Sequence, residues 1–147
     1  MILKPDNFDL QELVCPDVFQ QYGEFAWNFF DPRLLITLDR IRTKLNKPVF
    51  VNNWKDGGHL DERGLRCIKC KLVQEKINEG KLYESAHLLG KGVDFDVEGL
   101  LAEEVRLWIA TNKNIWPYPI RLERDVDWIH LDLFDMDNGQ KVYLFKA

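Results

Sequence analysis

The sequence predicts an α+β fold: a central, mainly antiparallel sheet with flanking helices. Three observations carry this prediction. Helix-period segments fill the first half of the chain. Two later stretches, 93–97 and 127–134, alternate with period two. Turn and strand signals then run to the end, so helices precede a largely antiparallel meander. At 147 residues the chain fits one domain, spanning 1–147, with a real core.

Residues 1–30 are rich in aromatics (Phe8, Phe19, Tyr22, Phe25, Trp27, Phe29, Phe30), which are expected to wrap the core. Asn7 or Asp9 can cap a short helix, Pro16 can begin another, and Tyr22-Gly23 reads as a break. Asp31-Pro32 places Asp at an N-cap and Pro at the first helical position. Leu34, Leu35, Leu38, Ile41 and Leu45 follow at helical spacing, and Asn46-Lys47-Pro48 stops the helix, so the prediction is helix over 32–45. Residues 48–52 read as a short strand. Residues 53–66, with Gly57-Gly58, read as a loop, the kind of segment that sits over sites. His59 in that loop is expected to be solvated. A helix over 67–79 should turn Ile68, Leu72, Val73 and Ile77 inward and end at Gly80. A further helix covers 99–112, with Glu103 and Glu104 suiting its N-terminal dipole. Strands are expected at 120–124, 127–134 and 141–146. Asp137-Asn138-Gly139 signals a hairpin between the last two.

Composition narrows the functions. Hydrophobic content of 46% and charged content of 30% describe an ordinary soluble globular protein. The net charge of −4 and the scattered Lys and Arg argue against nucleic acid as a partner. The start, Met1-Ile2-Leu3-Lys4-Pro5-Asp6, lacks the apolar region of a signal peptide, and no apolar run approaches the roughly 20 residues of a membrane span. The expectation is a protein made in the cytoplasm with no membrane partner. Cys15, Cys67 and Cys70 are an odd number in a chain that does not otherwise need staples, so a disulfide framework is not expected. Cys67-x2-Cys70 is a single pair, expected to be packing or surface rather than a metal or redox site.

The chemistry gathers on the alternating stretches. On the first, Val93, Phe95 and Val97 share one face, and Asp94 and Asp96 the other. On the second, Ile129, Leu131 and Leu133 share one face; Trp128, His130, Asp132 and Phe134 share the other. Pairing the strands over a common core puts Asp94 and His130 on one polar face, with His87 just upstream. Two imidazoles and a carboxylate form a three-ligand set for zinc, with the fourth position left to water. Gly90 and Gly92 permit tight backbone approach. Asp96 and Asp132 share the polar face, either orienting ligand imidazoles or simply hydrated. Asp127 has the wrong parity for this face and must lie at a strand entrance or bulge to reach it.

The same residues carry a resemblance. Ser85-x-His87-x2-Gly90 followed by Lys91-Gly92-Val93-Asp94 is similar to an S-x-H-x-x-G-x-A-x-D motif. Asp127-Trp128-Ile129-His130 looks like its companion, a carboxylate three residues before the last His ligand. Together they resemble the zinc D-Ala-D-Ala carboxypeptidase and L-alanyl-D-glutamate endopeptidase family, peptidase family M15. Val51-Asn52-Asn53-Trp54, Gly57-Gly58 and Arg63-Gly64-Leu65-Arg66 resemble the N-N-W…G-G…S-G-x-R segment of its small phage-type members. The resemblance covers about residues 30–135. It implies a Hedgehog/DD-peptidase-like fold, zinc on His87, Asp94 and His130, Asp127 as general base and then acid, Arg66 steadying the substrate carbonyl, and Ser85 contacting substrate or bracing the site. Peptidoglycan peptides are the implied partner. The implied setting is an endolysin reaching the cell wall after release, or a component of a phage or phage-like particle. Three positions depart from the family: Val93 is taken as standing where Ala is usual, Asp127 replaces the commoner Glu, and Arg63 replaces Ser. Asp at 127 tilts the reading toward the endopeptidase branch. The rival reading is a non-catalytic, zinc-containing binding or structural subunit on the same fold, as the Hedgehog signalling domain illustrates.

Overall fold

The computed structural model describes residues 1–147. It is an α+β domain with five α-helices and one five-stranded sheet. The helices are α1 (Leu10–Leu13), α2 (Pro16–Tyr22), α3 (Pro32–Leu45), α4 (Lys71–Asn78) and α5 (Ala102–Thr111). The strands are β1 (Val49–Phe50), β2 (Gly92–Val97), β3 (Ile120–Glu123), β4 (Ile129–Asp132) and β5 (Val142–Phe145), in the order β1-β2-β4-β3-β5. No helix is long and apolar enough to cross a membrane.

Local sequence explains most element ends. At the start of α1 the Glu12 side chain reaches back to accept from Asp9 N at 2.8 Å. Pro16 opens α2, and Gly23, at φ 48°, ends it before a 3-10 stretch over Gly23–Phe29. Asp31 caps α3 by accepting from Arg33 N at 3.0 Å, Pro32 takes the first helical position, and Asn46 closes the helix in the left-handed region at φ 51°. Leu34, Leu35, Leu38 and Ile41 of α3 are buried, each contributing about 1.5–3 kcal/mol relative to exposure. They share one core with Val93, Phe95 and Val97 of β2, Ile129 and Leu131 of β4, and Val105 and Ile109 of α5. Phe8, Trp27 and Phe30 join this core, whereas Tyr22 and Phe25 are exposed.

Two expectations are corrected. Helix α4 begins at Lys71, not 67, because Cys67–Cys70 forms a tight turn in which Cys70 N donates to Cys67 O at 3.1 Å. Only Val73 of its apolar residues is buried; Ile68, Leu72 and Ile77 are exposed. The meander also fails at its last step. The segment around Asp137–Gly139 does turn the chain back, with positive φ at both residues. It does not make a hairpin, because β4 already has β2 on one edge and β3 on the other. The chain steps over β3, and β5 pairs parallel with it.

Candidate metal centre and the groove beside it

The site grows from one register. In the antiparallel β2–β4 pair Asp94 stands directly opposite His130, as the alternation predicts. His87 arrives from the preceding turn. Gly90 shapes that turn: its φ is 65°, and a Cβ there would lie 2.0 Å from Phe29 O. The position matching the family's Ala, counted along S-x-H-x-x-G-x-A-x-D, is Gly92 and not Val93. A Cβ at Gly92 would meet Ala86 Cβ at 2.7 Å, so a residue without a side chain lets the His87 turn lie against β2.

His87 Nε2, His130 Nδ1 and the Asp94 carboxylate converge. His87 Nε2 lies 3.3 Å from His130 Nδ1 and 3.3 Å from Asp94 Oδ2, and His130 Nδ1 lies 2.7 Å from Asp94 Oδ1. All three ligand atoms fall within 4.8 Å of one another. Ligands about 2.0–2.1 Å from a tetrahedral ion stand about 3.3 Å apart; the two His87 separations match that spacing, and the 2.7 Å His130–Asp94 contact is closer, a hydrogen bond that an ion would open. Each imidazole presents a defined nitrogen. His87 Nδ1–H donates to Gly64 O at 2.8 Å, which leaves the Nε2 lone pair facing inward. His130 Nε2–H donates to Asp132 Oδ2 at 3.0 Å, leaving Nδ1 inward. Asp132 is itself fixed by Arg121, whose Nε and Nη2 reach its two oxygens at 2.8 and 2.9 Å. Asp132 therefore orients the His130 imidazole, as a partner behind a metal-ligating histidine would. Asp96 does not, since it pairs instead with Arg63 at 2.8 Å.

Electrostatics follows burial and these bonds. Burial pushes the His87 pKa down against the pull of Asp94. Burial alone would do the same to His130, but its bonds to Asp132 and Asp94 outweigh it and raise the pKa to about 9. Burial alone would raise the Asp94 pKa; the bonds from His130 and His87 outweigh it and hold the carboxyl well below the usual carboxylate range.

The remaining predicted residues surround this centre. Arg66, only 9% exposed, donates from Nη2 to Asp94 Oδ2 at 3.1 Å, from Nη1 to Tyr83 Oη at 3.1 Å, and from Nε to Glu62 O. Asp127 lies in the exposed bend before β4 begins at Ile129, so strand parity does not govern it. It lines a groove of about 550 Å³ together with Arg66, Asp94, Arg63 and Trp128. The exposed His59 lies on the same groove. Ser85 lines an adjoining cavity of about 300 Å³ with His87, Asp94, His130 and Arg121. Arg66, Asp94 and Trp128 belong to both walls. A larger depression, about 710 Å³, lies between the N-terminal segment and α3, away from these residues.

Sequence reasoning missed the roles of three arginines. Arg121 sits on a different strand from the Asp132 it holds. Arg63 Nη2 is buried without a partner, as is Ser85 Oγ, and these are the two such side-chain atoms in the chain; each belongs to a wall residue of one cavity. Arg106, 5% exposed on α5, donates to Trp128 O at 2.8 Å and Val126 O at 2.9 Å, clamping the bend that carries Asp127. Its one sequence signal is a charge on the inward stripe of a helix. Comparisons of the chain with protein-family models, curated proteins and solved structures found no match.

Proposed function

We propose that this chain is a zinc-dependent peptidase that hydrolyses peptide bonds in peptidoglycan stem peptides, of the D-Ala-D-Ala carboxypeptidase or L-alanyl-D-glutamate endopeptidase type. One observation carries the reading. The donors of His87, Asp94 and His130 converge where two cavities meet, and the walls of those cavities hold Asp127, Arg66 and Ser85. The motif resemblance supplies the substrate class.

Zinc on the three donors would supply a Lewis acid and a water whose pKa falls to about 7. The protein's own groups do the rest. Asp127, exposed on the groove, takes a proton from the attacking water and returns it to the leaving amine. Arg66 is held on three sides before substrate arrives, so its guanidinium needs little reorganisation to meet charge developing on the scissile carbonyl. Removing a comparable single donor costs about 2.7–4 kcal/mol. The unpartnered Ser85 Oγ and Arg63 Nη2 belong to residues that line the two cavities, so a rotation of either side chain would offer the atom to a peptide carbonyl or carboxylate. The place of action is the cell wall, reached after release or on a phage or phage-like particle.

The test is to incubate zinc-loaded protein with purified peptidoglycan and follow new amino groups and released peptides by mass spectrometry. Wild type is expected to cut a stem-peptide bond, and Asp127→Ala to lose hydrolysis while keeping its zinc. Full activity in Asp127→Ala would remove that residue from the mechanism. No cleavage of any wall type by folded, zinc-loaded wild type would overturn the peptidase reading in favour of a binding subunit.

A further inference from the structure

The chain's three cysteines come from distant places and meet at one point. Cys15 precedes α2, Cys67 and Cys70 flank the turn before α4, and their Sγ atoms all lie within 4.8 Å of one another. All three are free thiols; Cys15 and Cys70 are buried and Cys67 is half-buried. The cluster lies outside both cavities of the His–Asp centre. Cys-x2-Cys is a common spacing for thiolate ligands of zinc. Here it adopts a tight turn, with Cys70 N donating to Cys67 O at 3.1 Å and Cys67 N donating to Cys70 Sγ at 3.3 Å. Cys15 is remote from Cys67 in sequence but adjacent in space, because two backbone bonds join their segments. Cys15 N donates to Leu65 O at 3.0 Å, and Leu65 N donates to Leu13 O at 2.7 Å.

From this geometry we infer that Cys15, Cys67 and Cys70 form a second metal site, a thiolate site for zinc or another thiophilic divalent ion, separate from the His–Asp centre. Soft thiolates select such ions. On binding, each thiol gives its proton to solvent and its sulfur becomes a ligand. Half-buried Cys67 also lines a cavity of about 250 Å³ with Asp17 and Lys69, which gives an ion a path in. The role is a brace. The segment from Arg63 to Cys70 carries Arg66, whose backbone N donates to His87 O at 3.1 Å, and a metal at its end would tie that segment to the N-terminal helices.

Cobalt substitution of the purified, reduced protein tests this. Thiolate ligands give an intense near-ultraviolet charge-transfer band that imidazole and carboxylate ligands do not. The band is expected in wild type and in a His87→Ala/His130→Ala variant, weaker in Cys67→Ser, and absent in Cys67→Ser/Cys70→Ser. Thiol titration of native wild type gives a second readout that needs no variant: zinc should slow the reaction of half-buried Cys67, and a chelator should restore it. No charge-transfer band in folded wild type, equal Cys67 reactivity with and without zinc, or two thiols lost to a disulfide would each overturn the site.

Discussion

The two histidines of the centre present different nitrogens, and a different group fixes each. Gly64 O fixes His87, and the Asp132–Arg121 pair fixes His130. Asp132→Asn should therefore weaken metal binding roughly 10–100-fold without unfolding the protein, as measured by competition with a chromophoric chelator. The protonation states give a second expectation, for protein held in chelator. The His130 pKa is raised from 6.5 to about 9, so its contribution to stability is fully present below pH 6.5 and is lost as pH rises through about 9. The urea midpoint should fall across that interval, and less so in Asp132→Asn. Period-two alternation is enough to find Asp94 and His130, because side-chain direction on a strand is a local property. It also places Asp132 beside His130 without deciding its role, since that depends on Arg121 from another strand. Cys15 is invisible as a cluster member for the same reason.

At the scale of elements, the β2–β4 pairing sets the centre and α5 sets its rim. Arg106 of α5 holds the carbonyls of Val126 and Trp128, so it fixes the bend that carries Asp127, and in the proposed reaction it would position that carboxylate. Arg106→Ala leaves two carbonyls unpaired and should cost about 1–3 kcal/mol of stability. In the peptidoglycan assay it should lower turnover while zinc content stays unchanged; loss of zinc with the activity would mean a general structural role. Capping residues make α3 legible to the residue, because Asp31, Pro32 and Asn46 act locally. The start of α4 is not legible, because a Cys-x2-Cys turn replaces its expected first turn. The Asp137-Asn138-Gly139 signal identifies a reversal correctly but not its partner strand. Which edge is free depends on the whole sheet order, not on the turn.

Across the whole molecule, the segment from Arg63 to Cys70 links the two groups of side chains that could hold a metal. Its near end supplies Gly64 O and Arg66 to the His–Asp centre, and its far end supplies Cys67 and Cys70 to the cysteine cluster. The proposed chemistry stands or falls on zinc held by His87, Asp94 and His130. Elemental mass spectrometry of purified wild type beside His87→Ala/His130→Ala tests this most directly. The folded variant is expected to carry about one zinc fewer per chain than wild type. Equal zinc content in the two folded proteins, or none in wild type after reconstitution, would contradict it.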